Sequence, residues 1–308
     1  MSKNDSIEVK IIAHSISEDD KELVTFELVF PRVILPEFNT HRLFSRNAAS
    51  SRAVPIMSTI DMVCHTPAML SRYGANQSGM QDHGVEHEQP IDYKGKTYTA
   101  RELWAHQAKE VAGMAATWAD AGYHKQVANR ILEPFTKMKV VMTTTELENF
   151  FWLRDHPDAD PTFAELAQEM RRAYSKSIAT LLRKGDWHVP YYNKGQWIEV
   201  GDTGKDVHGV TLKEALDISV SCCAQVSYRK LDDSLEKAER VISRLNLGGD
   251  DLSDPAHASP AEHQGTPIIN HRVFDGYFKP GYTSYHKDLG MMSGNLAGWI
   301  QYRQLIPN

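Results

Sequence analysis

Residues 99–121 carry the pattern that most restricts how this chain can fold. Trp104, Ala108, Val111, Ala115 and Trp118 recur at alternating four- and three-residue steps, which lines them along one side of an α-helix and on neither face of a strand. Gly122 is a natural stop. A second helical stretch is expected from His124 to about Leu153, interrupted at Pro134, which must start, kink or break a helix. His156-Pro157-Asp158 reads as a turn, and Asp160-Pro161 opens a third helix ending near Arg183, with Phe163, Leu166, Met170 and Ala173 as its buried stripe. Further helices are expected over 212–227 and 234–245.

Two segments read as strands. Residues 7–13 and 23–35 are rich in Val, Ile, Leu and Phe with partial alternation, and the polar run Ser17-Glu18-Asp19-Asp20 can turn one back onto the other. Pro31 and Pro36 limit where the second can lie in a sheet. Residues 73–95 are marked by Gly and Pro and read as a long loop, of the kind that forms lids or binding segments. Residues 246–253 form a Gly/Asp loop, and no repeat of solenoid length is present. The expected class is α+β, one mainly antiparallel sheet packed with several long helices, and 308 residues suffice for one large domain or two small ones.

Composition narrows the function. With 41% hydrophobic and 24% charged residues the chain reads as an ordinary soluble globular protein. Its apolar runs fall far short of a membrane span, and Met1-Ser2-Lys3-Asn4-Asp5 lacks the apolar core of a signal peptide. Three cysteines, Cys64, Cys222 and Cys223, make no disulfide framework, so a cytoplasmic location is expected. A net charge of −6 argues against a general nucleic-acid binder. It leaves room for a local basic pocket around one phosphorylated small molecule.

Such a pocket is suggested by residues 40–52, T-H-R-L-F-S-R-N-A-A-S-S-R. Arg42, Arg46 and Arg52 supply planar forks of donors suited to phosphate and to carbonyl edges. Serine hydroxyls and backbone amides at a helix start would complete an anion cradle. If Ser45 opens a helix, Ser45 and Arg52 fall about two turns apart on one face. The plain alternative is a solvated polar helix start.

The order of the residues resembles a known signature. The flavin-dependent thymidylate synthases carry R-H-R-x-x-S-x-N-E-x-S-x-R after a Pro-containing strand, and His41, Arg42, Ser45, Asn47, Ser50 and Arg52 match it in register, with Pro31 in the strand before. Lys125-Gln-Val-Ala-Asn-Arg130-Ile-Leu-Glu-Pro134 resembles the family's K-E-x-A-R-x-x-L-P. Asn149-Phe-Phe-Trp-Leu-Arg154, followed by Asp158-Ala159-Asp160, resembles its N-F-L-x-L-R…H-A-Q. Two motifs usually found near the family's N-terminus stand late in this chain, as Ala224-Gln225-Val226-Ser227-Tyr228 and His257-Ala258-Ser259-Pro260-Ala261-Glu262-His263. Their mutual order is kept. The resemblance therefore implies a circular permutation that moves the N-terminal motifs to about 218–263, a rearrangement tolerated when termini lie close together at the surface.

What the resemblance implies is the transfer of a methyl to C5 of dUMP. The carbon comes from methylenetetrahydrofolate, and the hydride from FAD recharged by NADPH, with no cysteine nucleophile. Carried over residue by residue, Ser50, Arg52 and Arg130 hold the dUMP phosphate and sugar. Arg154 is the catalytic residue, donating to the pyrimidine carbonyl edge as charge develops on the ring. Glu37 and Thr40 flank the substrate. His41, Arg42, Asn47, Asn149, Ser227, Ser259 and Glu262 are the candidates for FAD contact. The family forms homotetramers with shared sites. No metal, nucleic acid or membrane is implied.

Departures bear on the reaction. Thr40 stands where the family has Arg, Glu37 where it has Gln, Ala48 where it has Glu, and Asp158 and Asp160 where it has His and Gln. Exchanging donors for acceptors can change the base or the one-carbon product, so a related enzyme that hydroxymethylates dUMP or acts on dCMP stays open, as does a silent flavin- or nucleotide-binding protein. Trp299-Ile300-Gln301-Tyr302-Arg303 echoes the W-x-R-H-R run that ends the family's signature strand, and Gln301 or Arg303 is a candidate replacement donor. Two other patterns are set aside. His83-Gly-Val-Glu86-His87 fits H-x-x-E-H, but zinc chemistry needs both histidines on one helical face and Gly84 opposes a helix. Val63-Cys64-His65 faintly resembles the nucleophile segment of the flavin-free thymidylate synthases, with nothing around it in support.

Overall fold

The two apolar N-terminal segments form a hairpin, β1 (Glu8–Ser17) and β2 (Glu22–Pro31). It closes where the Ser17 amide donates to the Lys21 carbonyl at 2.9 Å. A computed structural model describes residues 4–82, 84–227, 230–247, 257–268 and 281–306 of the chain. After β2 come a one-turn helix α1 (Leu35–Phe38), a short strand β3 (Ser45–Ala48) and helix α2 (Ile56–His65). Most of the long loop is irregular, ending in a small hairpin of β4 (Ile91–Tyr93) and β5 (Lys96–Tyr98). Helix α3 (Ala100–Asp120) starts at a capping box, Thr99 with Glu102, and buries Leu103, Ala108, Ala112 and Ala115.

The expected helical stretch over 124–153 is instead a helix, a strand and a helix: α4 (Lys125–Leu132), β6 (Lys137–Thr144) and α5 (Glu148–Arg154). Pro134 sits in a 3-10 turn, Glu133–Phe135, that ends α4. The segment K-M-K-V-V-M-T-T then alternates Met138, Val140 and Met142 with Lys139, Val141 and Thr143, a period of two that a strand can bury on both faces. Helix α6 (Pro161–Lys176) is N-capped by Asp160, and Phe163, Leu166 and Met170 are buried as expected. It ends before Arg183 because β7 (Thr180–Leu182) pairs parallel with β1.

Strands β8 (Trp187–His188) and β9 (Gln196–Trp197) follow, then helices α7 (Leu212–Ala224) and α8 (Leu235–Leu245). The remaining described strands are β10 (Gly265–Pro267), β11 (Ser284–His286), β12 (Gly290–Met292) and β13 (Trp299–Gln301). The main sheet has the order β3-β6-β2-β1-β7, antiparallel except at β1/β7, and a second sheet runs β13-β10-β8-β9. The α+β class is as expected from the sequence. The second sheet was not, because strands of two or three residues are too short to carry a period.

One face of the main sheet forms the largest core. Phe26, Leu28 and Phe30 of β2 and Met138, Val140 and Met142 of β6 pack with Phe150 of α5 and Phe163, Leu166 and Met170 of α6. On the other face, Val141 meets Cys223 of α7 and Val226 just after it, and Leu23 meets Leu182, Leu296 and Trp299. The signature strand β3 is the edge strand of this sandwiched sheet. Among the described residues no helix is long and apolar enough to cross a membrane.

Candidate functional site

Residues 40–52 do not begin a helix. Ser45–Ala48 pairs antiparallel with β6, Ser45 opposite Thr143 and Asn47 opposite Val141. Helix α2 starts only at Ile56. Ser45 and Arg52 therefore share no helical face. Strand alternation instead sends Ser45 and Asn47 to the second face of the sheet, where Ser45 is fully buried.

Just before the strand, the turn after α1 presents His41 to Arg154 at the end of α5. Arg154 Nε donates to His41 Nε2 at 2.9 Å, Nη1 to Glu37 Oε2 at 3.2 Å and Nη2 to Thr40 Oγ1 at 3.3 Å. The guanidinium also lies over the Phe163 ring, 4.7 Å from its centroid. His41 is walled by Phe44, Phe150 and Phe163. Burial, and then the charges of Arg154 and Arg46, push its pKa from 6.5 down to about 4. The imidazole is thus neutral at pH 7, with a bare Nε2 to receive the guanidinium proton. Glu37 and Thr40, two of the departures from the family pattern, complete this cluster.

Arg46, not among the residues carried over from the signature, ties the cluster to the strand. Its Nη1 donates to the His41 carbonyl at 2.9 Å, and it shares an electrostatic field with Glu262. Burial raises the Glu262 carboxyl against the opposing pull of Arg303 and Arg46.

The two late motifs pack onto the signature. The Asn47 amide lies 3.0 Å from His263 Nε2 and 3.3 Å from Ser259 Oγ, and with Nδ2 turned toward His263 it donates to that nitrogen and to the Ser259 carbonyl at 3.1 Å while Oδ1 accepts from Ser259 Oγ. The Ser50 amide donates to Ser227 Oγ at 3.0 Å. Tyr228, the last residue of the first late motif, lies outside the described residues, as do His83 and 248–253. Loop 51–54 is held from α4: buried Asn129 donates to the Ser51 carbonyl at 2.7 Å and the Val54 carbonyl at 2.9 Å, and Lys125 Nζ to the Ala53 carbonyl at 3.0 Å. This fastens Arg52 to the helix that carries Arg130.

Arg42, Arg52, Arg130 and Asn149 are exposed. Among the described residues none of these three arginines pairs with a carboxylate, and no bond joins the Ser50–Arg52–Arg130 group to the Arg154 cluster. Gln301 donates from Nε2 to Ser45 Oγ at 3.0 Å and to the Glu262 carbonyl at 2.6 Å, so both its amide protons are engaged within the protein and it is not the replacement donor. Arg303 lines a cavity of about 320 Å³ with Glu262, Gly294 and Asn295. A larger cleft, about 980 Å³, opens beyond Arg154 between Asp155–Ala159, α6 and the loop residues Arg72, Asp82 and Glu86. Among the described residues no group of three or more His, Cys, Asp or Glu side chains could hold a metal ion.

Sequence reading missed a buried polar seam behind β3. Thr143 Oγ1 lies 2.9 Å from His263 Nδ1 and 2.7 Å from Thr25 Oγ1, Thr25 Oγ1 lies 2.8 Å from His188 Nε2, and His188 Nδ1 lies 2.8 Å from Ser15 Oγ. Burial pushes both histidines from 6.5 down to about 3. The one local signal was threonine among apolar neighbours in β2 and β6. Its partners are 118 to 173 residues apart.

The edge strand of the α+β sheet thus carries Ser45, Arg46 and Asn47, with Arg42 and Arg52 exposed on either side of it. The family model described as Thy1, thymidylate synthase complementing protein, matches residues 20–178, just over half of the 308 residues. The chain belongs to that family, the flavin-dependent thymidylate synthases. The match runs from the β1–β2 turn to just past α6, and the two late motifs lie outside it. No curated protein matches the chain by sequence. Similar solved structures include the UMP/dUMP methylase PolB from Streptomyces cacaoi bound with 5-Br UMP, at 16% identity, 55% of this chain, 89% of that chain and a TM-score of 0.40. Another is Thymidylate Synthase X (ThyX) from Helicobacter pylori with FAD and dUMP, at 16% identity, 49% of this chain, 67% of that chain and a TM-score of 0.33.

Proposed function

We propose that this chain is a flavin-dependent thymidylate synthase, methylating dUMP to dTMP with methylenetetrahydrofolate as carbon donor. The observation that carries the reading is the meeting of the late motifs with the signature: Ser259 bonds Asn47 and Ser227 bonds Ser50, from 212 and 177 residues away. That meeting also supports a permuted single domain, with the motifs of about 218–263 standing where the family's N-terminal ones belong. FAD, when bound, supplies the hydride, and NADPH recharges it.

The residues present fit such a cofactor and substrate. Arg42, Arg52 and Arg130 are exposed cations without a carboxylate partner among the described residues, the charge that phosphates require. Asn47, Ser227, Ser259, Glu262, His41, Arg42 and Asn149 would hold FAD. Ser50, Arg52 and Arg130 would hold the dUMP phosphate and sugar. Arg154 would stabilise charge on the pyrimidine carbonyl edge. Three of the five guanidinium N–H groups are engaged by His41, Glu37 and Thr40 in the described bonds, which orients the planar fork before the substrate arrives.

The separation of the Ser50–Arg52–Arg130 group from the Arg154 cluster supports sites shared between the subunits of a homotetramer. Exposed Leu43, Trp152 and Leu153, next to the cluster in sequence, fit coverage by a neighbouring copy. The free cysteines fit a cytoplasmic enzyme.

One observation favours a second reading, in which the chain acts on dCMP or leaves a hydroxymethyl. The carboxylate of Glu37 and the hydroxyl of Thr40 put acceptors beside Arg154 where the family has an amide and a cation, and an acceptor suits an exocyclic amine. Incubating the pure protein with dUMP or dCMP, methylenetetrahydrofolate, FAD and NADPH, and weighing the products by mass spectrometry, separates these readings. A dTMP product supports the first. A colourless protein that takes up no FAD and turns over neither nucleotide refutes both and leaves a silent binder.

A further inference from the structure

When every contact of the buried seam from Asn47 to Ser15 carries one proton, only two arrangements remain. A neutral imidazole bonded at both nitrogens donates at one and accepts at the other, and a threonine hydroxyl whose proton stays within the seam does the same at its two contacts. Ser15, Thr25, Thr143, His188 and His263 are all at most 1% exposed, and no other side-chain hydrogen bond is seen for them among the described residues except that Asn47 closes the far end. The direction of the whole chain is therefore set by which end of the Asn47 amide faces His263.

That end is the NH2. With Nδ2 toward His263, its two protons face three acceptors, His263 Nε2 at 3.0 Å and the Ser259 and Arg46 carbonyls at 3.1 and 3.3 Å, and Oδ1 accepts from Ser259 Oγ. Turned round, Oδ1 would face those carbonyls, which are acceptors. His263 Nε2 must then accept, so Nδ1–H donates to Thr143, Thr143 to Thr25, Thr25 to His188 Nε2, and His188 Nδ1–H to Ser15.

We propose that His263, held by the Thr143–Thr25–His188–Ser15 chain, is a positioning residue that fixes the orientation of the Asn47 amide. Through Asn47 it sets how Ser259 is presented to the ligand. The consequence for flavin rests on the reading of Asn47 and Ser259 as cofactor contacts. The direction of the chain does not.

Two measurements on the full-length protein separate these points. In ligand-free protein labelled with 15N-histidine, both His188 and His263 are expected as the Nδ1–H tautomer, the reverse of what free imidazole side chains prefer. Either ring found as Nε2–H overturns the proposal. In a flavin fluorescence titration, T143V, which keeps the shape and removes the relay hydroxyl, is expected to weaken FAD binding about tenfold, while T143S stays within twofold. Equal affinities for T143V and T143S overturn the positioning role. If the unaltered protein binds no FAD, the flavin reading falls, and the tautomers still decide the chain.

Discussion

Acidification is a direct perturbation of the buried histidines. His188 and His263 hold folded-state values of about 3 against an ordinary 6.5 because burial disfavours their charged forms. Between these values the unfolded chain binds a proton at each site and the folded chain does not. Stability is therefore fully present above about pH 6.5 and declines as pH falls, by about 1.4 kcal/mol per pH unit for each ring. From pH 7 to pH 5 the two rings together remove about 4 kcal/mol, a large part of the 5–15 kcal/mol typical of a folded protein. His41, driven to about 4, acts in the same direction but more weakly, because it is half-exposed and screened. Burial raises Glu262 and Asp186, which take up protons in the folded state and offset part of the loss. The expected net effect is a loss of stability on acidification, dominated by the two buried rings. Urea titrations at pH 7, 6 and 5, with the slope m unchanged, measure it. H263Q should remove close to half of the pH dependence. A free energy that is flat from pH 7 to 5, or an H263Q profile parallel to the parent's, would refute the assignment of neutral buried rings.

The remaining predictions concern the site and its supports. R154A is expected to lower turnover by about 10²–10³-fold, the cost of losing an aimed donor at developing charge, while flavin absorbance in the purified protein is kept. R154K should not restore turnover, because an ammonium cannot reproduce the fork that meets His41, Glu37 and Thr40. E37Q should leave unfolding free energy within about 0.5 kcal/mol, since the Glu37–Arg154 pair is largely solvated on the glutamate side, and should shift the dUMP-to-dCMP rate ratio toward dUMP. N129A loses two buried bonds to loop 51–54 and should cost about 2 kcal/mol in urea unfolding, with weaker dUMP binding by calorimetry. G195A should be costlier than most single changes, about 3 kcal/mol. Its backbone has φ +92°, and a Cβ there would stand 2.4 Å from the Ala13 Cβ on β1.

Much of the architecture could be read along the chain because it is written in local periods. The β1–β2 hairpin, α3 with its Thr99–Glu102 cap, and the buried stripe of α6 each follow from alternation, 3.6-residue spacing or a capping pair within a few residues. Strand β6 carries a period of two as well, in Met138, Val140 and Met142 against Lys139, Val141 and Thr143, yet a helix was expected there. The helical neighbours on both sides hid it. Second-sheet strands such as Trp187–His188 and Gln196–Trp197 could not be read, since two residues define no period.

The identities of the candidate site residues came from the sequence alone: the signature at 40–52, Arg130, Arg154 and the two late motifs. Tertiary structure decided what they touch. Ser45–Ala48 has no intrinsic reason to be extended, and becomes a strand because β6 offers it a hydrogen-bonding edge. His41 is held neutral only because Phe44, Phe150, Phe163 and Arg154 surround it. Asn47 acquires a preferred orientation only because Ser259 and His263 close over it. A sequence specifies which donors and charges exist, whereas burial, proton direction and pKa are set by neighbours that the chain brings back from more than a hundred residues away.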